Sequence, residues 1–220
     1  MLHPDVASQI DAVPVDPARP LVVCDADEVL FDFMSGFEAF LGAEGVYFTW
    51  REYRLNGNLL HRPDDSPLAA DQVRGAVERY FARHTETMAA IDGAAEGLAR
   101  LARRTQVVVL SNLPLACRDA RCRALARLGT DLPLVANLGA KGPAVAALAR
   151  RAGAPVFFID DSPTHHADVA THAAAVTRIH FVGHARLSGL IGPAPDSHAR
   201  AEAWPDIVGL IERALGPEGP

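Results

Sequence analysis

The amino-acid sequence predicts an α/β fold: a parallel sheet of about five strands flanked by helices, with a small α-helical insertion after the first strand. Three observations predict this fold. Short apolar runs bounded by turn residues recur along the 220 residues, as expected of strands buried on both faces. Amphipathic patterns of about 10 to 15 residues alternate with these runs, which is typical of βαβ units. One stretch after the first run contains helical patterns and no such run.

Five short runs rich in Val, Ile, Leu and Phe are predicted to be the strands. They are Leu21–Asp25, Val107–Ser111, Leu134–Asn137, Val156–Asp160 and Thr177–Val182. Each run is too short for a stable isolated helix and has the length of a buried strand. Right-handed crossovers between such strands place helices on both faces of the sheet, so the strands are expected to be buried.

Helical patterns rich in Ala, Leu and Arg separate or follow these runs. They cover Gly93–Arg103, Ala116–Leu128, Pro143–Ala152, Pro163–Ala174 and Trp204–Leu215. Two of them begin with proline, which is favoured in the first turn of a helix because its missing N–H is not needed there. The last pattern repeats Ile and Leu at helical spacing, which predicts one buried face.

Residues 31–94 interrupt the alternation and are predicted to form the helical insertion. Helical patterns cover Phe33–Leu41 and Pro67–His84, and Asn-Gly and Pro-Asp turn signals separate them. Between the two, Thr49–Glu52 has the Thr-x-x-Glu spacing of a capping box, which predicts a further helix start. Six aromatic residues of the insertion are expected to form its own apolar core; they are Phe33, Phe37, Phe40, Tyr47, Phe48 and Trp50.

The length and composition indicate a main globular domain with a smaller appendage. Residues 1–30 and 95–220 are predicted to form the main domain around the insertion. The chain is 49% hydrophobic and 22% charged, which excludes a disordered chain and a disulfide scaffold. Cys24, Cys117 and Cys122 lack paired spacing, so reduced thiols and a cytoplasmic location are expected.

The charge of the chain bears on its partners. Lys and Arg number 21 against 27 Asp and Glu, giving a net charge of −6, and no Lys/Arg run is present. A nucleic-acid partner or an anionic membrane is therefore not expected, because both recruit basic patches. No stretch reaches the roughly 18 apolar residues of a membrane span, and the first residues lack the apolar region of a secretory signal.

Polar residues follow four of the predicted strands, at the sheet edge where α/β proteins bind ligands. In chain order these residues are Asp25, Asp27, Ser111, Asn112, Lys141, Asp160 and Asp161. Clustered carboxylates repel one another unless a cation lies among them, and Mg²⁺ prefers oxygen ligands. An aspartate can attack phosphorus, a second carboxyl group can protonate the leaving group, and hydroxyl and ammonium groups can bind phosphoryl oxygens.

The set Asp25-x-Asp27, Ser111, Lys141 and Asp160-Asp161, each at a strand end and in this order, resembles the haloacid dehalogenase superfamily. The resemblance covers about residues 20–30 and 95–182. It implies a Rossmann-like core, Mg²⁺-dependent phosphoryl chemistry and a small helical cap, formed by the insertion, that closes over the site.

The resemblance also implies a role for each residue of the set. Asp25 would be the nucleophile and a metal ligand, and Asp27 the general acid and base, with its backbone carbonyl on the metal. Phosphate would be bound by Ser111, Asn112 and Lys141, and the metal site completed by Asp161, with Asp160 as the alternative. An acid at position 27 favours a phosphatase over a dehalogenase, because an alkoxide needs a proton on leaving and a halide does not.

One part of the motif set departs from the family pattern. The fourth motif often reads Gly-Asp with another acid four residues later, whereas here it is Asp160-Asp161 with His165. The direct metal ligand of the pair and the role of His165 therefore stay open. His180 and His184 straddle a strand end and a loop, so surface or hydrogen-bonded core positions are expected for them rather than a zinc site.

The sequence thus predicts a cytoplasmic, Mg²⁺-dependent phosphatase that hydrolyses a small phosphorylated metabolite through an aspartyl-phosphate on Asp25. A phosphomutase or other phosphotransferase, and a catalytically silent phosphoester-binding or protein-interaction module, stay as alternatives. The substrate and the oligomeric state, including a possible homo-oligomer, stay open. Six polar residues of the insertion have two possible roles: they form a solvated face, or one or two of them bind the leaving group of the substrate. They are Arg51, Arg54, Asn56, Asn58, His61 and Arg62.

Overall fold

A parallel sheet of six strands lies at the centre of the fold that the computed structural model describes for residues 2–217. Position 1 and positions 218–220 of the predicted main domain lie outside the described residues. The strands are β1 (Leu21–Cys24), β2 (Val46–Phe48), β3 (Leu59–His61), β4 (Gln106–Ser111), β5 (Leu134–Ala136), β6 (Val156–Asp160), β7 (Thr177–Phe181) and β8 (Ala199–Ala201). The sheet order is β5-β4-β1-β6-β7-β8, with every neighbouring pair parallel, while β2 and β3 form a separate hairpin.

Helices connect the strands and cover both faces of the sheet. They are α1 (Pro4–Ala12), α2 (Phe33–Ala43), α3 (Ala70–His84), α4 (Ala94–Leu101), α5 (Arg118–Arg127), α6 (Gly142–Arg151), α7 (Pro163–His172), α8 (Ala185–Ser188) and α9 (Trp204–Leu215). Val22 of β1 shares an apolar cluster with α4, α5 and α9, whereas the adjacent Val23 shares one with α1, α6 and α7. Within residues 2–217, none of these helices combines the length and apolarity that crossing a bilayer requires.

The fold class predicted from the sequence is confirmed, and outside the insertion the structure adds the four-residue helix α8 and two further elements, β8 and α1. β8 extends the sheet to six strands by pairing with β7. It was not predicted because two of its three residues are only partly buried and it forms no apolar run: the central Arg200 binds the backbone carbonyls of Ser188 and Ile191. Helix α1 has Pro4 in its first turn and buries Val6 and Ile10, which are one helical turn apart.

The insertion is not purely helical, which corrects the prediction. Val46 pairs with His61 and Phe48 with Leu59 in the antiparallel hairpin of β2 and β3. The predicted capping box is also wrong: Trp50 has a left-handed backbone with φ of 54°, and the Thr49 hydroxyl donates to Asn58 Oδ1 across the hairpin loop. The β-branched and aromatic residues around position 47 favour a strand, and this tertiary pairing outweighs the local Thr-x-x-Glu signal.

A separate apolar cluster forms where the insertion packs against the main domain. Phe33 and Phe37 of α2 pack with Tyr80 and Phe81 of α3, with ring centroids 5.1 to 5.5 Å apart. The same cluster includes residues that follow β4 and β7, among them Leu113 and Val182. Of the six aromatic residues expected to form the insertion's own core, all but Tyr47 belong to this cluster, and the cluster is shared with main-domain residues rather than confined to the insertion. The division into two domains at residues 31 and 94 stays a prediction.

Candidate active site

Asp25 lies at the centre of the sheet edge, because β1 runs between β4 and β6. Its backbone N–H donates to the carbonyl of Ile159, which continues the pairing of β1 with β6 for one residue. The side chain is buried, and its Oδ1 accepts hydrogen bonds from Lys141 Nζ at 2.6 Å and from the Ala26 N–H at 2.7 Å. Burial, together with the charges of Asp160 and Asp27, raises the pKa of Asp25 to about 6 against the opposing effect of Lys141.

Lys141 is fully buried and bridges two carboxylates. Its Nζ lies 2.6 Å from Asp25 Oδ1 and 2.7 Å from Asp160 Oδ2. Burial alone would lower the pKa of the ammonium, but the two carboxylates outweigh that effect and hold the pKa above its usual value. The structure therefore brings together three of the residues that the sequence singles out and fixes a positive charge between two of them.

Asp160 anchors this arrangement with both of its oxygens. Its Oδ2 accepts from Lys141, and its Oδ1 accepts from the Ser162 N–H at 2.9 Å and lies 2.9 Å from His165 Nδ1. The charges of Lys141 and His165 hold the pKa of Asp160 below its usual range although burial acts in the opposite direction. Asp160 is thus saturated by protein partners.

Asp161 differs from its neighbour because no cation of the chain binds its carboxylate within the described residues. Its Oδ2 accepts a hydrogen bond from the Tyr53 hydroxyl at 2.6 Å, which ties the insertion to the main domain. Burial and the nearby charges of Asp160 and Asp25 raise the pKa of Asp161 well above its usual value. Asp161 also lines a cavity at the sheet edge, described below, whereas Asp160 does not.

The donor set fits a divalent cation with oxygen ligands. Three buried carboxylates, Asp25, Asp160 and Asp161, face the single ammonium of Lys141, and the raised pKa of Asp161 is the mark of a carboxylate that lacks a counter-charge. Potential ligand atoms of Asp25, Asp160 and His165 also lie within 4.8 Å of one another. Both oxygens of Asp160 already have protein partners, whereas the carboxylate of Asp161 accepts only from Tyr53, so the site fits Mg²⁺ better with Asp161 than with Asp160 as ligand.

Asp27 pairs with an arginine that the sequence analysis missed. Its Oδ1 accepts from Arg121 Nη2 at 2.5 Å, and its Oδ2 accepts from the Ser111 hydroxyl at 3.3 Å. Arg121 is fully buried in α5, and its guanidinium lies 4.7 Å above the ring of Phe31. Arg121 was not recognised from the sequence because α5 is rich in arginine, and such a composition is typical of a solvent-exposed helix.

Asn112 is used to brace a loop in this structure. Its Nδ2 donates to the Gly139 carbonyl at 2.9 Å, and its Oδ1 accepts from Asn137 Nδ2 at 2.6 Å. These bonds hold the loop that leads from β5 into Lys141 at the start of α6. Asn112 lines the cavity as well, and its contact with phosphate, like that of Ser111, stays a prediction.

The buried histidines near the site have structural partners. His180 donates from Nε2 to the Asp161 carbonyl at 2.9 Å and accepts from the Ala194 N–H at Nδ1. His166 donates to the Asp160 carbonyl at 2.9 Å, and burial lowers its pKa to about 4. His184 stacks on Trp50 at 5.1 Å. These positions agree with the expectation of hydrogen-bonded or surface histidines rather than a zinc pair.

Glu28 is a second residue of the site region that the sequence analysis did not identify. It has a left-handed backbone with φ of 60° and is 5% exposed. Its Oε1 accepts from the Met34 N–H at 2.6 Å, but its Oε2 is buried without a hydrogen-bond partner among the described residues. Burial raises the pKa of Glu28 to about 8. No local sequence signal marks this position beyond its place after Asp27.

A cavity of about 500 Å³ opens onto these carboxylates between the sheet edge and the insertion. Asp25, Asp27 and Asp161 are among its lining residues. The rest of its wall is formed mainly by apolar and aromatic side chains, namely Phe33, Met34, Tyr53, Leu55, Phe81 and Pro163.

The polar residues of the insertion contribute little to this wall. Arg54 lines the cavity, but its guanidinium is paired with Glu52 at 2.5 Å and lies at the surface. Arg62 stacks on the ring of Tyr47, and Asn58 is buried in the hairpin loop, where it donates to the Arg54 carbonyl. Of these residues, Arg54 is therefore the one that the structure places within reach of a leaving group.

Sequence comparison alone finds no relatives: neither a family model nor a curated protein matches the chain. Solved structures do match. A HAD family hydrolase from Deinococcus radiodurans with bound phosphate and sodium superposes with a TM-score of 0.62 at 20% identity, covering 91% of this chain and 98% of that one. CbbY from Rhodobacter sphaeroides in complex with phosphate matches with a TM-score of 0.54 at 20% identity, and the match covers 85% of this chain and 95% of CbbY.

A third match extends the same likeness to a classified subfamily. It is a HAD-superfamily hydrolase of subfamily IA, variant 1, from Geobacter sulfurreducens, with a TM-score of 0.53 at 18% identity, and it covers 91% of this chain and 100% of that one. The matches span the insertion as well as the sheet, since they cover about nine tenths of the chain. The chain therefore has the fold of the haloacid dehalogenase superfamily.

Proposed function

We propose that the protein is a Mg²⁺-dependent phosphatase that hydrolyses a small phosphate monoester through an aspartyl-phosphate on Asp25. One observation carries the proposal: a buried carboxylate held by an ammonium at 2.6 Å, with a second carboxylate two residues later, both at the mouth of one cavity. Two structural neighbours support it, because both were solved with bound phosphate, which is the product that this reaction releases.

In the first step, Asp25 attacks the phosphorus atom. Lys141 and the Ala26 N–H both hold Oδ1, so Oδ2 is the oxygen that forms the new O–P bond. The bond from phosphorus to the leaving oxygen breaks, and its electron pair stays on that oxygen. Asp27 donates a proton to the departing alkoxide, which leaves as an alcohol.

In the second step, water attacks the phosphorus of the aspartyl-phosphate. Asp27, now ionised, accepts the proton of the water, and the O–P bond to Asp25 breaks to release inorganic phosphate. Arg121 Nη2 donates to Asp27 Oδ1 at 2.5 Å, which orients the carboxyl group in both steps, while the transferred proton is carried by Oδ2. The acid at position 27 is what favours a phosphatase over a dehalogenase, whose halide leaves without a proton.

Asp25, Asp161 and the backbone carbonyl of Asp27 would hold the Mg²⁺. When bound, the ion supplies positive charge that neutralises the phosphoryl oxygens. Lys141 orients Asp25 and adds a second positive charge on the same side. Asp160 keeps Lys141 in place through the 2.7 Å contact and so acts on the reaction indirectly.

The test is release of inorganic phosphate from a set of phosphate monoesters with Mg²⁺ and with EDTA. We expect turnover in Mg²⁺ alone, a loss of at least 1,000-fold in kcat for Asp25→Asn, and a loss of about 100-fold or more for Asp27→Asn. Asp119→Asn is the matched control, since Asp119 is exposed on α5 away from the cavity. Full activity of Asp25→Asn would exclude the nucleophile assignment, and transfer of phosphate to an added alcohol without phosphate release would favour a phosphotransferase.

A further inference from the structure

We propose that the substrate is a phosphate monoester with an apolar leaving group, aromatic or branched alkyl, rather than a sugar or polyol phosphate. The inference rests on the proposed phosphatase function and names the substrate class for that site. It is carried by the composition of the cavity wall and by the hydrogen-bond state of the polar groups in it.

The wall that faces the catalytic carboxylates is built from apolar side chains of the insertion. Phe33 and Met34 come from the start of α2, Phe81 comes from α3, and Leu55 comes from the hairpin loop. These side chains surround the space that a leaving group enters once its phosphate is placed at Asp25. A leaving group that removes this surface from water gains affinity in proportion to the apolar area buried.

Most polar groups of the wall already have partners in the protein, and the exception is Glu28, whose Oε2 is buried without a hydrogen-bond partner among the described residues. Tyr53 donates to Asp161, Arg54 is paired with Glu52, and Asn112 is bonded to the loop before Lys141. The Ser162 and Thr164 hydroxyls bond to each other at 2.8 Å. A sugar would lose several hydrogen bonds to water on entering and find few free partners, which makes its binding unfavourable.

The cavity is also large enough for such a group. Its volume of about 500 Å³ lies within the range of roughly 300–1,000 Å³ that is usual for small-molecule sites. A short polar ester such as a phosphoglycerol would leave most of the apolar wall uncovered, and an aryl-alkyl group would cover it.

The experiment compares esters whose leaving alcohols have similar reactivity. 2-Phenylethyl phosphate and cyclohexylmethyl phosphate are primary alkyl esters, as is glucose 6-phosphate, so a preference among them reports binding in the cavity. With Mg²⁺ we expect kcat/KM to be at least tenfold higher for the two apolar esters than for glucose 6-phosphate and glycerol 3-phosphate.

A pair of variants tests the wall directly. Leu55→Asn places a polar group in the cavity, and we expect it to raise KM for 2-phenylethyl phosphate at least fivefold while kcat changes less than twofold. Leu68→Asn is the control, because Leu68 is a partly buried leucine of the same insertion that lines a different pocket. Its KM should stay within twofold of the wild type, and melting curves of both variants check that they fold.

The outcomes separate the two proposals. Absence of Mg²⁺- and Asp25-dependent turnover of every ester would overturn the phosphatase function and this inference with it. Turnover in which glucose 6-phosphate or glycerol 3-phosphate equals or exceeds the apolar esters would overturn the substrate class alone. The same holds if Leu55→Asn changes KM no more than Leu68→Asn does.

Discussion

At the scale of single residues, Arg121 shows how the candidate acid is held in place. Its side chain is fully buried, and two of its nitrogens, Nε and Nη1, have no partner among the described residues. The carboxylate of Asp27 is therefore the main counter-charge of a guanidinium that cannot lose its proton. The Asp27 side chain is 18% exposed, whereas that of Arg121 is fully buried. Water can therefore reach the carboxylate of the pair but not the guanidinium.

The ion pair predicts an order of stability among variants in EDTA. Asp27→Asn leaves a fully buried cation without its carboxylate, and we expect the free energy of unfolding to fall by about 3–5 kcal/mol. Arg121→Met leaves a carboxylate that water reaches through the cavity, and the loss should be smaller, about 1–3 kcal/mol. Urea denaturation measures both losses. The control is Arg123→Met, which changes an exposed arginine of the same helix and should alter the free energy of unfolding by no more than about 0.5 kcal/mol. A larger loss for Arg121→Met than for Asp27→Asn would contradict this account.

Glu28 predicts a pH dependence of stability in the metal-free protein. Its pKa of about 8 in the fold exceeds its ordinary value of 4.5 because the side chain is buried. The folded state then binds this proton more tightly than the unfolded chain, so the free energy of unfolding falls as pH rises from about 4.5 to 8, by at most about 1.4 kcal/mol per pH unit.

Denaturation in EDTA at several pH values between 5 and 8 tests this effect. Glu28→Gln keeps an acceptor for the Met34 N–H and cannot ionise, so its stability should decline less over this range than that of the wild type. Glu44→Gln is a suitable control, because Glu44 is a surface residue paired with Arg79. Parallel curves for the wild type and Glu28→Gln would show that Glu28 does not ionise in this range.

At the scale of secondary-structure elements, the contact between α4 and α9 depends on a glycine. A Cβ built on Gly97 would overlap the indole ring of Trp204, whose Cδ2 lies 3.1 Å from that position. Trp204 is fully buried, and its indole N–H donates to the Val29 carbonyl at 2.9 Å, so the ring cannot shift freely. The close approach of the two helices is therefore fixed by the missing side chain.

Gly97→Ala is expected to destabilise the protein by about 1–3 kcal/mol, because an extra carbon is forced into a packed contact. Gly42→Ala is the matched control in α2, where nothing lies within 4 Å of the added Cβ. There the higher helix propensity of alanine should raise stability by about 0.5–1 kcal/mol. Urea denaturation of the two variants gives opposite signs if packing at Trp204 is the cause, and a stabilised Gly97→Ala would refute it.

The elements also show which parts of the fold the sequence can predict. Five strands were predicted because each contains an apolar run, and polar residues follow four of them. β2, β3 and β8 are as short as β5, but unlike β5 they are not buried throughout, so their identity depends on pairing rather than on an apolar run. The hairpin and the edge strand could not be predicted for that reason.

At the scale of the whole molecule, the excess of buried negative charge predicts that Mg²⁺ stabilises the fold. Binding to the folded state alone adds about 2.7 kcal/mol at 100 times the dissociation constant, which corresponds to a rise in Tm of roughly 5–10 °C for a chain of this size. Calorimetry with Mg²⁺ and with EDTA measures the shift.

Asp161→Asn separates this effect from general ionic strength. The variant removes one of the repelling carboxylates, so it should be at least as stable as the wild type in EDTA and show little or no shift with Mg²⁺. Asp131→Asn, a change outside the carboxylate cluster, should keep the full shift. An undiminished shift in Asp161→Asn would place the ion elsewhere.

The site as a whole was predicted to the extent that it follows from strand order. Asp25 follows β1, Asp160 ends the neighbouring β6, and Lys141 comes from the loop after β5, two strands from β1. The three side chains meet because all three positions lie at the same edge of the parallel sheet. Arg121 and Tyr53 were missed because each reaches the site from an element whose position depends on tertiary packing. The roles assigned to the site residues stay predictions until the variants above are measured.

The apolar wall of the cavity has a consequence for how the specificity of this protein can change. Phe33, Met34 and Phe81 belong both to this wall and to the apolar cluster that holds the insertion together. Substitutions that would reshape the cavity at these positions also weaken the fold, so adaptation to a new substrate through them carries a penalty in stability. Leu55 is a loop residue that is only partly buried, which leaves the hairpin loop as the region where new specificities can arise with the least loss of stability.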